Sequence, residues 1–219
     1  MTWQLGMTSE KYEVGSGGPG TVSSGIGDYG GVSYGRWQLS SKMGTVAKFV
    51  STMGYTQDFR GLTPGTKPFS DKWKEMAEDP AFGEAQHEFI KRTHYQPQLD
   101  FLKSKGIDLS KRGPAVQDAV WSTSVQFGGG TTLILKALSI FPKTLEDLAI
   151  VKAIQDYKIK NNDALFKSSS SKVRASTLNR AKDELEDLIK LCSVNDTTTE
   201  EVGILKDVFD AFQSIGEKN

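Results

Sequence analysis

Beyond residue 40, apolar side chains recur three and four positions apart, the spacing that gathers them on one face of an α-helix. In SSKMGTVAKFVSTMG, the residues Met43, Val46, Ala47, Val50 and Met53 form such a stripe, closed by Gly54. Residues 69–79 and 81–104 repeat the spacing, the second interrupted at Pro97, which has no N–H to continue the ladder. Residues 114–127 (PAVQDAVWSTSVQF) are strongly apolar, open on Pro114, a favoured first-turn residue, and stop at Gly128-Gly129-Gly130. This segment is expected to be the central buried helix. Further helical patterns cover 133–139, 145–161, 177–192 and 199–216, with SSSSKVRAS the most linker-like stretch between them. No internal repeat interrupts the series.

The front of the chain follows another rule. Trp3, Leu5, Met7 and Tyr12 predict a short helix ending near Glu13 to Gly15. From Tyr12 to Gln38, nine of 27 residues are glycine, a density that makes ordering costly unless the backbone needs shapes other residues cannot reach. Tyr12, Tyr29, Tyr34 and Trp37 interleave with the glycines, and a flexible spacer rarely carries four large rings. TVSS and VSYGRW, separated by GIGDYGG, read as an irregular hairpin or three-stranded flap. The predicted fold class is mainly α, an α+β arrangement in which a helical domain surrounds a central buried helix and carries a small glycine-rich β-hairpin. Residues 1–192 are expected to form the domain and 193–219 a helical extension packed on it.

Composition removes several function classes. Lysine plus arginine equals aspartate plus glutamate, 27 each, so no global basic field favours nucleic acid. The single cysteine, Cys192, lies in a helical pattern and reads as a small buried hydrophobe. The N-terminus lacks a basic stretch followed by an apolar core, and no run of about 18 apolar residues occurs, so neither an export signal nor a transmembrane segment is expected. Gly25-Ile26-Gly27-Asp28-Tyr29-Gly30 formally matches a dinucleotide fingerprint but lacks the preceding strand and following helix. His87 and His94 have no third ligand at suitable spacing, so neither a metal nor a cofactor is expected.

Carboxylates remain. Glu13 ends the first predicted helix, and Asp28 is the acid within the flap. Glycoside hydrolysis divides its labour between two such groups, one protonating the leaving oxygen and the other stabilising the cation, attacking it or activating water. The plainer alternative is that Glu13 caps its helix and Asp28 occupies a tight turn.

The string SEKYE-x-G-x-x-GPGTVSSG-x-GD-x-GGVSYG-x-x-Q resembles the start of bacteriophage and prophage peptidoglycan hydrolases with the lysozyme-like fold. QDAVWSTSVQFG, residues 117–128, is similar to that family's central-helix motif, and Leu178-Asn179-Arg180 followed by Glu184 gives a weaker third match. The resemblance implies that Glu13 is the general acid, with Glu10 one turn earlier as its competitor; Asp28 is the candidate second carboxylate, a role that the lytic transglycosylases of this superfamily do without. It implies sugar contacts from Ser33, Tyr34, Trp37 and Gln38 in the flap and from Ser122 and Gln126 on the central helix. The expected partner is the peptidoglycan glycan strand, cut by a monomeric muramidase-type endolysin, without nucleic acid or membrane. A lytic transglycosylase, a chitosanase-like enzyme and a non-catalytic glycan-binding or virion protein are the alternatives. The expected location is the host bacterial cytoplasm before holin-dependent release, or the virion.

Overall fold

The computed structural model describes residues 3–13, 17–25, 30–139 and 146–216, with the backbone alone at Lys11, Glu13 and residues 194–216. Asp28 lies outside the described residues, as does the side chain of Glu13. In chain order the elements are α1 (Met7–Glu13), β1 (Ser33–Tyr34), β2 (Leu39–Ser40), α2 (Thr45–Thr52), α3 (Lys67–Met76) and α4 (Pro80–Ile90). A π-helical turn, Lys91–Tyr95, leads into α5 (Gln96–Ser104), followed by α6 (Pro114–Phe127), α7 (Leu133–Leu138), α8 (Asp147–Lys160), α9 (Asn162–Leu165) and α10 (Ser171–Gly216). Among the described residues the fold is mainly helical with one small antiparallel sheet, in which Ser33 pairs with Ser40 and Tyr34 with Leu39. Of the TVSS segment, which could have formed a third strand, only Val22 joins, through an isolated bridge to Tyr34.

The chain divides into two compact units, Met1–Thr8 with Leu102–Thr123 and Thr132–Asn219, and Ser9–Phe101 with Ser124–Thr131. In the first, Val116, Val120 and Trp121 of α6 are buried, as are Ile134 of α7, Val151 and Ile154 of α8, and Leu188 of α10. α8 packs against both α7 and α10. The second has an aromatic core. Trp73 is fully buried with its centroid 4.8 Å from Phe82, 5.3 Å from Tyr34 and 5.4 Å from Phe49, and Phe59 adds an approach of 4.7 Å to Phe69. Offset and edge-on contacts at such distances are the arrangements that ring quadrupoles favour.

Several boundaries differ from the sequence expectation for identifiable reasons. α6 is buried from Ala115 to Ser124 and runs over the predicted residues, with Gly128 left-handed just beyond its end. On α2 the buried face is Val46, Phe49 and Val50, while Met43, 78 % exposed, lies in the preceding turn. The helix across Pro97 bends through the π turn before the proline, because the ring displaces the carbonyl four residues earlier and the ladder must shift to spare it. The expected break between 192 and 199 is absent: α10 is continuous across residues 193–198, which contain neither proline nor glycine. Cys192 is buried, as its pattern predicts.

Candidate active site

α1 begins on a carboxylate. Asp118 of α6, itself fully buried, accepts hydrogen bonds from the Gly6 amide at 2.7 Å, the Thr8 amide at 3.1 Å, the Thr8 hydroxyl at 2.8 Å and Trp3 Nε1 at 3.2 Å. Amides at the start of a helix have no intrahelical acceptor, so the carboxylate supplies what the first turn lacks. Burial raises the Asp118 pKa, with these hydrogen bonds pulling the other way. Gly6 has φ +87°, and a Cβ there would come within 2.6 Å of Trp121 Nε1, so only glycine fits. The other end of α1 is Glu13, where helix gives way to the glycine-rich segment. One turn earlier, Glu10 pairs with the guanidinium of Arg36.

Arg36 belongs to the turn between β1 and β2, residues 35–38. Gly35 donates to the Thr21 carbonyl at 2.8 Å and has φ +73°. Gln38 has φ 53°, the one non-glycine residue at positive φ among those described. A left-handed conformation at such a residue costs about 1–3 kcal/mol and persists only where surrounding contacts impose it. The two residues before Gln38 are held by α4. Gln86 accepts from the Arg36 amide at 3.1 Å and donates to the Pro19 carbonyl at 3.0 Å. Trp73 Nε1 shares that carbonyl at 2.8 Å, and the next residue of α4, His87, meets the Trp37 ring edge-on at 5.6 Å. His94 sits in the π turn, where burial lowers its pKa and its Nδ1 lies 2.8 Å from the Thr93 hydroxyl.

The residues singled out from sequence fall into distinct environments. Gln38 is exposed, and Trp37 and Gln126 are half-buried. Tyr34 is fully buried within the aromatic core, where its hydroxyl meets Ser70 Oγ at 2.9 Å and accepts from the Gly65 amide at 2.9 Å. Ser33 is also buried, its amide donating to Ser23 Oγ at 2.8 Å. Ser122 is 1 % exposed, and its hydroxyl lies 2.8 and 2.9 Å from the two oxygens of Glu184. Glu184 also takes Lys158 at 3.0 Å and Arg180 at 2.9 Å. Burial alone would raise the pKa of Glu184, but Lys158 and Arg180 outweigh it and lower it to about 2.

Gln86, Asp118 and Glu184 carry contacts that the sequence reading did not assign: Gln86 holds the β1–β2 turn, Asp118 the start of α1 and Glu184 a buried ionic cluster. Their common signal is a polar residue on an apolar stripe: Gln86 lies between Phe82 and Phe89, Asp118 between Ala115 and Trp121, and Glu184 between Ala181 and Leu188, all six flanking residues being buried.

Comparison with known proteins bears on what these elements serve. Among solved structures, the Gynuella sunshinyii GH46 chitosanase in complex with chitotetraose superposes with a TM-score of 0.59 at 12 % identity, covering 87 % of this chain and 90 % of that one. The native chitosanase of Bacillus subtilis MY002 gives 0.57 at 16 % identity, over 89 % and 88 %. At that identity the likeness establishes the fold, α-rich and lysozyme-like. The type VI secretion system spike protein VgrG3 of Vibrio cholerae is 46 % identical over 192 residues, 84 % of this chain; the chain spans 19 % of that protein's length. This corrects the phage or prophage origin and with it the location: holin-dependent release from a host cytoplasm, and residence in a virion, have no support. No helix among the described residues is long and apolar enough to cross a membrane. Residues 5–185 match the model of the type VI secretion system spike protein VgrG3-like C-terminal family, and the chain belongs to that family.

Proposed function

We propose that this chain is a peptidoglycan-degrading glycosidase carried by a type VI secretion spike, cutting glycan strands by acid/base catalysis with Glu13 as the general acid. The observation that carries the reading is the place of Glu13, the last residue of α1, at the entry to the glycine-rich segment of a lysozyme-like fold. The Glu13 proton passes to the bridging oxygen as its bond to the anomeric carbon breaks. Asp28 is proposed as the second carboxylate, stabilising the positive charge that develops at that carbon. Water supplies hydroxide to the anomeric carbon, and its remaining proton goes to a carboxylate. Trp37, Gln38 and Gln126, each with exposed surface, are the proposed sugar contacts.

The test is digestion of purified sacculi with mass spectrometry of the released muropeptides. Hydrolysis adds one water per cut and leaves reducing ends; anhydromuramic ends would assign the chain to the transglycosylases. A second reading, action on chitosan, is favoured by the chitosanases among the structural neighbours. Digestion of chitosan with intact sacculi left untouched would establish it instead.

A further inference from the structure

Gln86 is an amide in the core of its unit with both its oxygen and its nitrogen hydrogen-bonded. It is 1 % exposed, its oxygen takes the Arg36 amide and its nitrogen gives to the Pro19 carbonyl. Those two groups both belong to the glycine-rich segment, 17 residues apart in sequence. A leucine or methionine would fill the same space on the apolar stripe, so packing alone does not call for an amide. The neighbouring backbone has been shaped around it: a Cβ at Gly35 would collide with Gln86 Oε1 and come within 3.1 Å of Trp73. Immediately after the Arg36 amide come Trp37 and the left-handed Gln38.

We propose that Gln86 is a positioning residue for glycan binding: its amide pins the Pro19 carbonyl and the Arg36 amide to α4, and so fixes the turn that presents Trp37 and Gln38 to the sugar chain. His87 continues the same grip by bracing the Trp37 ring. The inference rests on the glycosidase reading for its consequence, and on geometry alone for its cause. A turn held from its own backbone loses little freedom when ligand arrives, so the binding cost is met during folding. Removing the amide should therefore weaken substrate binding more than it slows the chemical step.

The experiment compares Gln86→Met, similar in shape but unable to make either hydrogen bond, with the core variant Val46→Ala as a control for lost stability. Hydrogen exchange and steady-state kinetics on soluble glycan oligomers are measured on both. For Gln86→Met, faster exchange at the Arg36 to Gln38 amides and a KM raised about tenfold, with kcat within about threefold of wild type, are expected. Val46→Ala should keep the wild-type KM and the wild-type exchange in that turn. Unchanged exchange at Arg36, or a KM no higher than the control's, would overturn the proposal. If the wild-type chain cleaves no glycan, the glycosidase reading fails, while the exchange at Arg36 still decides whether Gln86 holds the turn.

Discussion

The two units spend their carboxylates in opposite ways. In the first, Asp118 and Glu184 are buried and each is surrounded by donors: four hydrogen bonds on Asp118, and two cations, a hydroxyl and the Gln155 amide on Glu184. An acid so occupied has no lone pair left for a substrate and no partner it can release without leaving a buried charge unpaired. The acids proposed for chemistry, Glu13 and Asp28, belong to the sequence span of the second unit, whose β1–β2 turn is glycine-bearing, partly exposed and left-handed at Gln38. Burial and pairing mark a carboxylate that holds the fold. Acids fitted for proton transfer are sought at helix ends and loops, on a scaffold made rigid by others.

The largest effect on stability that this contrast predicts comes from Glu184→Gln. Removing one partner of a buried ionic cluster leaves Lys158 and Arg180 uncompensated and should cost about 3–5 kcal/mol. At this chain length that lowers Tm by about 6–20 °C, measurable by calorimetry. The pH dependence follows from the same group. Its folded pKa, about 2, lies below the ordinary carboxylate value, so its stabilisation is complete above the unfolded pKa and is lost as pH falls toward 2. Asp118, raised by burial, acts with the opposite sign, its contribution being lost as pH rises through its folded pKa. Urea unfolding between pH 3 and 7 should show stability falling toward acid in the wild type and a flatter profile in Glu184→Gln.

A smaller loss is expected for Asp118→Asn. The amide keeps one acceptor oxygen but turns an NH2 either toward the donors of Gly6 and Trp3 or toward those of Thr8, a cost of about 1–3 kcal/mol in chemical denaturation. Smallest is a gain. Gln38→Gly relieves the left-handed strain and should raise stability by up to about 1 kcal/mol while weakening glycan binding, the trade expected of a strained residue held for function. Equal stability and equal KM in that variant would remove Gln38 from the contact set.

Elements with strong punctuation were legible in the sequence. Pro114 and the glycines from Gly128 bracket α6, and the glycine-rich segment announced its hairpin. Phase and continuity were harder to read. Nothing local distinguishes Met43 from Phe49 as the residue that meets the aromatic core, and the run at 193–198, polar apart from Val194, looks like a break although it contains neither proline nor glycine to forbid a helix. The candidate acids were visible because chemistry restricts residue type. Gln86 was not, because its role depends on Pro19 and Arg36, which only the tertiary fold brings to it.

The contrast is decided most directly by assaying wild type, Glu13→Gln and Glu184→Gln on purified sacculi at a temperature where all three are folded by circular dichroism. The account predicts that Glu13→Gln keeps the wild-type Tm and loses about a thousandfold or more in kcat/KM, whereas Glu184→Gln unfolds earlier yet turns over at close to the wild-type rate. Near-normal turnover by Glu13→Gln, or an equal collapse in folded Glu184→Gln, would contradict it.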